Sequence, residues 1–167
     1  AVMSHKIVTE PILSIHRINN LELKKNYPAV LFNFDELIRY HKKWLNYSLS
    51  GHLIVAYYYR NILLPYIDFR RPLAFMEIGG GNGNLAGILK YTYSPKIIFL
   101  VDLPESIVNA FVFLSNLFPD SRIILPNDFE KHIENLDLKK SKSEIIFLTP
   151  SQIKFLPDNI IDISINT

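Results

Sequence analysis

Cysteine is absent from the sequence. That excludes a disulfide framework, a thiolate nucleophile and a thiolate zinc site, and it suits a reducing, cytoplasmic setting. An excess of one charge is missing too: 18 Lys and Arg against 16 Asp and Glu leave a net charge of +2. The basic residues are scattered apart from doublets such as Lys42-Lys43 and Lys139-Lys140, which read as solvated faces. Nothing in this charge pattern asks for nucleic acid. No apolar signal core opens the chain, because Ser4, His5, Lys6 and Glu10 interrupt it early. The most apolar helical stretch, 53–67, contains Arg60 and Pro65 and is too short for a bilayer, so a soluble protein with no membrane partner is expected. No repeat is visible, and no His, Asp and Glu cluster stands at coordinating spacing, so no metal is expected.

What is present is a composition that folds. Hydrophobic residues make up 49% of 167 positions and aromatics 13%. This length supports one domain with a real core and not two comfortable ones.

The expected organisation is an N-terminal, mostly helical extension over 1–50 and an α/β domain over 51–167. In the extension, Asn33 can cap a helix whose first turn holds Asp35 and Glu36, running to about 47. A second helix, 52–64, is closed by Pro65 and is apolar on almost every face. After residue 72 the texture changes. The runs 73–78 and 96–102 are short, apolar and followed by turn residues, as buried parallel strands are. Asn84 can cap a helix that buries Leu85, Ile88 and Leu89. Pro104 suits the first turn of another, whose core stripe is Ile107, Ala110, Phe111, Leu114, Leu117 and Phe118. Strands are expected at 144–148 and 160–165, with 122–125 a weaker candidate and 127–143 a polar helix plus loop. Strand alternating with helix is the rhythm of a doubly wound parallel sheet.

In such folds a ligand sits beyond the carboxyl ends of the strands, where the first strand turns into its helix. Here that turn is Glu77-Ile78-Gly79-Gly80-Gly81-Asn82-Gly83. Glycines admit positive φ and let a ligand reach the main chain, and the helix end beyond offers free N–H groups. Asp102, ending the second strand, can accept hydrogen bonds from both ribose hydroxyls. Two cofactor classes use this arrangement. A nicotinamide dinucleotide wants Gly-x-Gly-x-x-Gly/Ala, which Gly81, Gly83 and Ala86 meet formally, yet Glu77 pointing into a pyrophosphate pocket is electrostatically wrong. S-adenosyl-L-methionine has no phosphate and presents an ammonium, a carboxylate and a sulfonium. Acid-x-Gly-x-Gly-x-Gly is met in full by Glu77, Gly79, Gly81 and Gly83, the acid suiting the ammonium and the glycine amides the carboxylate.

These residues resemble the S-adenosylmethionine-dependent methyltransferase superfamily with its Rossmann-like domain. More narrowly, Val101-Asp102-Leu103-Pro104-Glu105, Phe147-Leu148-Thr149-Pro150, Leu156-Pro157 and the run 161–167 resemble the sugar O-methyltransferases over roughly 51–167. The resemblance implies that Glu77, Gly79, Gly80, Gly81 and Gly83 hold the amino-acid end, Asp102 the ribose, and Leu103 the adenine face. Thr149, Ser151 and Gln152, after the third strand, would flank the adenine ring. Were 122–125 the third strand, that role would fall to Asn127 or Asp128. Asn166 would face the methyl-transfer chamber, or else serve as a strand-end turn former. The implied acceptor is a sugar hydroxyl. No general base is assigned: His41 and His52 could cover the site, with His5, His16 and His132 weaker candidates. Tyr57, Tyr58 and Tyr59 read as helix packing before substrate cover. Family members continue beyond the point where this sequence stops, so a chain truncated after the fourth strand is expected, its last apolar strand prone to pair with a second copy. A nicotinamide-dependent oxidoreductase and a non-catalytic methyltransferase-like module are the alternative functions.

Overall fold

The computed structural model describes residues 55–56, 58–60, 63, 66–68, 70–134, 136 and 140–167. The chain divides into two compact units, Ala1–Tyr66 and Ile67–Thr167. In the first, the described residues between 55 and 63 are helical, within the span expected for the second helix. The expected extension over 1–50, including the helix capped by Asn33, lies outside the described residues.

The second unit is an α/β fold built on a parallel sheet. Strands β1 (Ala74–Ile78), β2 (Ile97–Val101), β3 (Arg122–Ile124), β4 (Glu144–Leu148) and β5 (Ile163–Asn166) form one sheet in the order β3-β4-β2-β1-β5. All four pairings are parallel. The continuous apolar runs expected of strands buried on both faces are β1, β2 and β4, and in β2 and β4 every residue is buried.

Side chains alternate between the two faces. On one face Phe75 meets Tyr93 of helix α1 (Asn84–Tyr93), and Phe147 meets Phe111 of helix α2 (Pro104–Leu117). The other face carries Ala74, Met76, Ile97, Phe99, Val101, Ile146 and Leu148 in one cluster with Phe129 of the short helix α3 (Phe129–Ile133). Ile153, from the 3-10 segment Pro150–Phe155, packs against the same cluster. Helices therefore flank both faces, and burying each large apolar side chain contributes roughly 1.5–3 kcal/mol.

Several expectations change. The weak candidate 122–125 is a genuine strand, Arg122–Ile124, so the sheet has five strands and not four. It pairs with β4 at the edge and not with β2, which leaves β4 beside β2 as the third strand of the interior order. The last strand begins at Ile163 and not at Ile160. Asn159 turns the chain with φ 59°, Ile160 is buried outside the ladder, and Asp162 docks through its N–H on Ala74 O at 2.9 Å. The Asp162 carboxylate also accepts the Ala74 N–H at 2.8 Å and pairs with Arg71 at 2.9 Å. Phe111 and Phe118 are half-buried and not core residues. Among the described residues, no helix is long and apolar enough to cross a membrane.

Candidate functional site

Chain order reverses direction at β1, with β2 on one side of it and β5 on the other. A reversal of this kind leaves a crevice at the carboxyl ends of the strands. The turn that follows β1 is the glycine-rich one. Gly79, Gly81 and Gly83 have φ of 80°, 51° and 76°, the left-handed region that favours glycine. Gly79 and Asn82 are exposed, Gly80 and Gly81 half-buried, and Gly83 buried. The turn is anchored beneath by Gly79 N–H on Val101 O at 2.8 Å and internally by Gly83 N–H on Gly80 O at 2.8 Å.

Helix α1 starts differently from the expectation. Gly83, not Asn84, is the N-cap, and it has no side chain with which to cap. The third N–H of the helix, that of Ala86, is instead taken by Glu77 Oε2 at 2.9 Å. A carboxyl group from the preceding strand does the work that an N-cap side chain normally does. Glu77 is 2% exposed, and burial pushes its carboxyl up to about 8, against the hydrogen bond from Ala86 and with the help of the Asp102 charge.

A side chain at Gly83 would be strained by its φ of 76° and tightly packed. A Cβ there would lie 3.1 Å from Leu114 Cδ1 and 3.3 Å from Ala110 Cβ, both on α2. Gly83→Ala is expected to lower stability by about 1–2 kcal/mol, the cost of a left-handed residue with a Cβ. Chemical denaturation measures it, and an unmoved midpoint would show that the turn relaxes freely.

Asp102 stands at the tip of β2, half-buried, and reaches across to the turn. Its Oδ2 accepts the Gly81 N–H at 2.7 Å and its Oδ1 the Leu103 N–H at 2.7 Å. An ionised carboxylate has about four lone-pair sites, so two remain for a ligand. Beside it Leu103 is 54% exposed.

The residues after β4 are arranged less freely. Gln152 Oε1 accepts the Thr149 N–H at 3.0 Å, and its Nε2 donates to Pro126 O at 2.8 Å. Both ends of that amide are engaged in tying β4 to the connection after β3. Thr149 Oγ1 lies 3.0 Å from Ser151 Oγ, and Ser151 is exposed. Asn166 is exposed at the end of β5, in register with Ile78. Next to it Thr167, part of the run 161–167 but given no site role by the sequence, donates from Oγ1 to Gly79 O at 3.0 Å and from its N–H to Ile78 O at 3.0 Å. Only the β1–β5 pairing brings it there.

Of the histidines weighed as a base, His5, His16, His41 and His52 lie outside the described residues, as does Tyr57. His132 bonds Glu144, the first residue of β4, and so belongs to the opposite end of the sheet. Among the described residues no group of three or more His, Asp and Glu could hold a metal ion. No family model, curated protein or solved structure matches this chain.

Proposed function

We propose that this chain binds S-adenosylmethionine on a Rossmann-like sheet and serves methyl transfer to a sugar hydroxyl. The observation that carries the reading is the Asp102 carboxylate, 2.7 Å from the Gly81 N–H, at the open tip of the strand beside the glycine turn. A carboxylate with lone pairs to spare in that position suits a ribose diol. The exposed Leu103 next to it suits the flat face of a base.

Glu77 separates this ligand from a dinucleotide. Pyrophosphate binding at a strand-to-helix turn uses the free N–H groups of the helix end. Here the Ala86 N–H is already taken by an internal carboxyl group. A phosphate would displace it or sit against it. A sulfonium cofactor needs no phosphate cradle, so an engaged helix-end N–H counts against the dinucleotide and not against it.

When bound, S-adenosylmethionine supplies a sulfonium methyl group open to in-line attack by an acceptor oxygen, a reaction in which orientation carries much of the rate. The chain's own part is to orient. Asp102 holds the sugar of the nucleoside; the Gly79, Gly81 and Gly83 N–H groups already bond Val101 O, Asp102 Oδ2 and Gly80 O in pairs of their own, so the amino-acid carboxylate falls to the remaining amides of the turn.

Calorimetric titration with S-adenosylhomocysteine and, separately, with NAD is the test. Saturable heat is expected with the first and none with the second. Binding of NAD alone would replace the methyl-donor reading by the oxidoreductase one.

A further inference from the structure

Two peptide N–H groups of the glycine turn stay open. Gly79, Gly81 and Gly83 spend theirs on Val101 O, Asp102 Oδ2 and Gly80 O. Among the described residues, the N–H groups of Gly80 and Asn82 have no hydrogen-bond partner. The Gly80 N–H belongs to the peptide plane that joins Gly79 to Gly80, so its direction is set by whatever holds the Gly79 carbonyl.

Little in the turn itself holds that plane. It lies between two glycines, neither with a Cβ to restrict rotation, and Gly79 stands at φ 80°. The hold comes from β5. Thr167 Oγ1 donates to Gly79 O at 3.0 Å and, at a longer 3.3 Å, shares its proton with Ile78 O. Ile78 O already receives the Thr167 N–H at 3.0 Å, so Gly79 O is the acceptor that depends on the hydroxyl. A close approach makes this bond possible: a Cβ on Gly79 would come within 2.7 Å of Thr167 O. In a trans peptide the C=O and N–H point in opposite directions, and no peptide among the described residues is cis. With its carbonyl turned to β5, the plane turns the Gly80 N–H the other way. On that side of β1 lies β2, with Asp102 at its tip.

We propose that Thr167 is a positioning residue: its hydroxyl holds the 79–80 peptide so that the Gly80 N–H is presented to the carboxylate at the amino-acid end of the donor. The inference rests on the methyl-donor reading and adds to it the residue that orients the turn. Without the hydroxyl the plane rotates about glycine bonds, and the donor must order it on binding. That costs affinity at the amino-acid end and leaves the hold of Asp102 on the ribose as it was.

The test compares two ligands by calorimetric titration. S-adenosylhomocysteine carries the amino-acid end, and 5′-methylthioadenosine keeps the nucleoside without it. Thr167→Val, nearly the same shape without the hydroxyl, is expected to weaken S-adenosylhomocysteine roughly three- to tenfold, the worth of one hydrogen bond. Affinity for 5′-methylthioadenosine should stay unchanged. Thr167→Ser restores the hydroxyl and should restore the affinity. A merely structural role would weaken both ligands together. Equal loss for both, no loss for either, or a Thr167→Ser protein as weak as Thr167→Val overturns the proposal while the donor reading stands. A parent chain that binds neither ligand overturns the donor reading itself, and this proposal with it.

Discussion

Asp102→Ala is expected to weaken binding of S-adenosylhomocysteine by roughly ten- to a hundredfold. Hydrogen bonds to a charged group are worth about 1.5–3 kcal/mol, which is that range in affinity. Two losses combine in this variant. The ribose acceptor disappears, and the Gly81 and Leu103 N–H groups, each 2.7 Å from the carboxylate, lose their partner. Both amides lie at the edge of the crevice, where water can replace the carboxylate, so the cost to folding should be about 1 kcal/mol. Affinity should therefore fall much more than stability. Titration calorimetry beside a melting curve separates the two, and an Asp102→Ala protein that binds as tightly as the parent removes the ribose assignment.

The second large effect concerns Glu77 and falls on stability. Glu77→Ala leaves the Ala86 N–H without an acceptor in a buried place and opens a cavity between β1 and α1. An orphaned buried donor alone costs about 1–3 kcal/mol, and the cavity adds to it, so a loss of about 2–4 kcal/mol is expected. Glu77→Gln keeps a carbonyl oxygen for that N–H and should cost less.

The same residue gives a pH dependence whose sign can be worked out. Burial first, and the charge of Asp102 after it, raise the carboxyl from its ordinary 4.5 to about 8 in the folded chain. The folded state then holds a proton that the unfolded state releases at lower pH. Stability from this group is complete below about 4.5 and is lost as pH rises to about 8, by an amount on the order of a few kcal/mol. The parent should lose stability steadily relative to Glu77→Gln across that window. A difference that stays flat from acid to pH 8 would mean that Glu77 is ionised throughout.

Much of the α/β unit could be read locally. The runs at β1, β2 and β4 are apolar without alternation, and a strand buried on both faces is the economical way to use such a run. The glycine turn and Asp102 were legible for the same reason: each is a short-range pattern with a backbone or charge requirement of its own. Other features were out of reach. That Gln152 spends its amide on Pro126 O, 26 residues away, is invisible from either neighbourhood. So is the pairing of His132 with Glu144. The motif reading placed Glu77 at the ligand's ammonium, and it could not see that the Ala86 N–H already occupies it.

From residue order alone came the elements, the turn chemistry and the acid at a strand tip, because hydrophobic period, glycine and helix-start signals act over a few residues. Strand order came only from the folded chain. Arg122–Ile124 could have stood beside β2, and it is the pairing of β4 with β2 that sends it to the edge. Which strand lies next to which is decided by how whole faces bury against α1, α2 and α3 at once. Such packing is a property of contacts between distant segments, and no single window of sequence contains it.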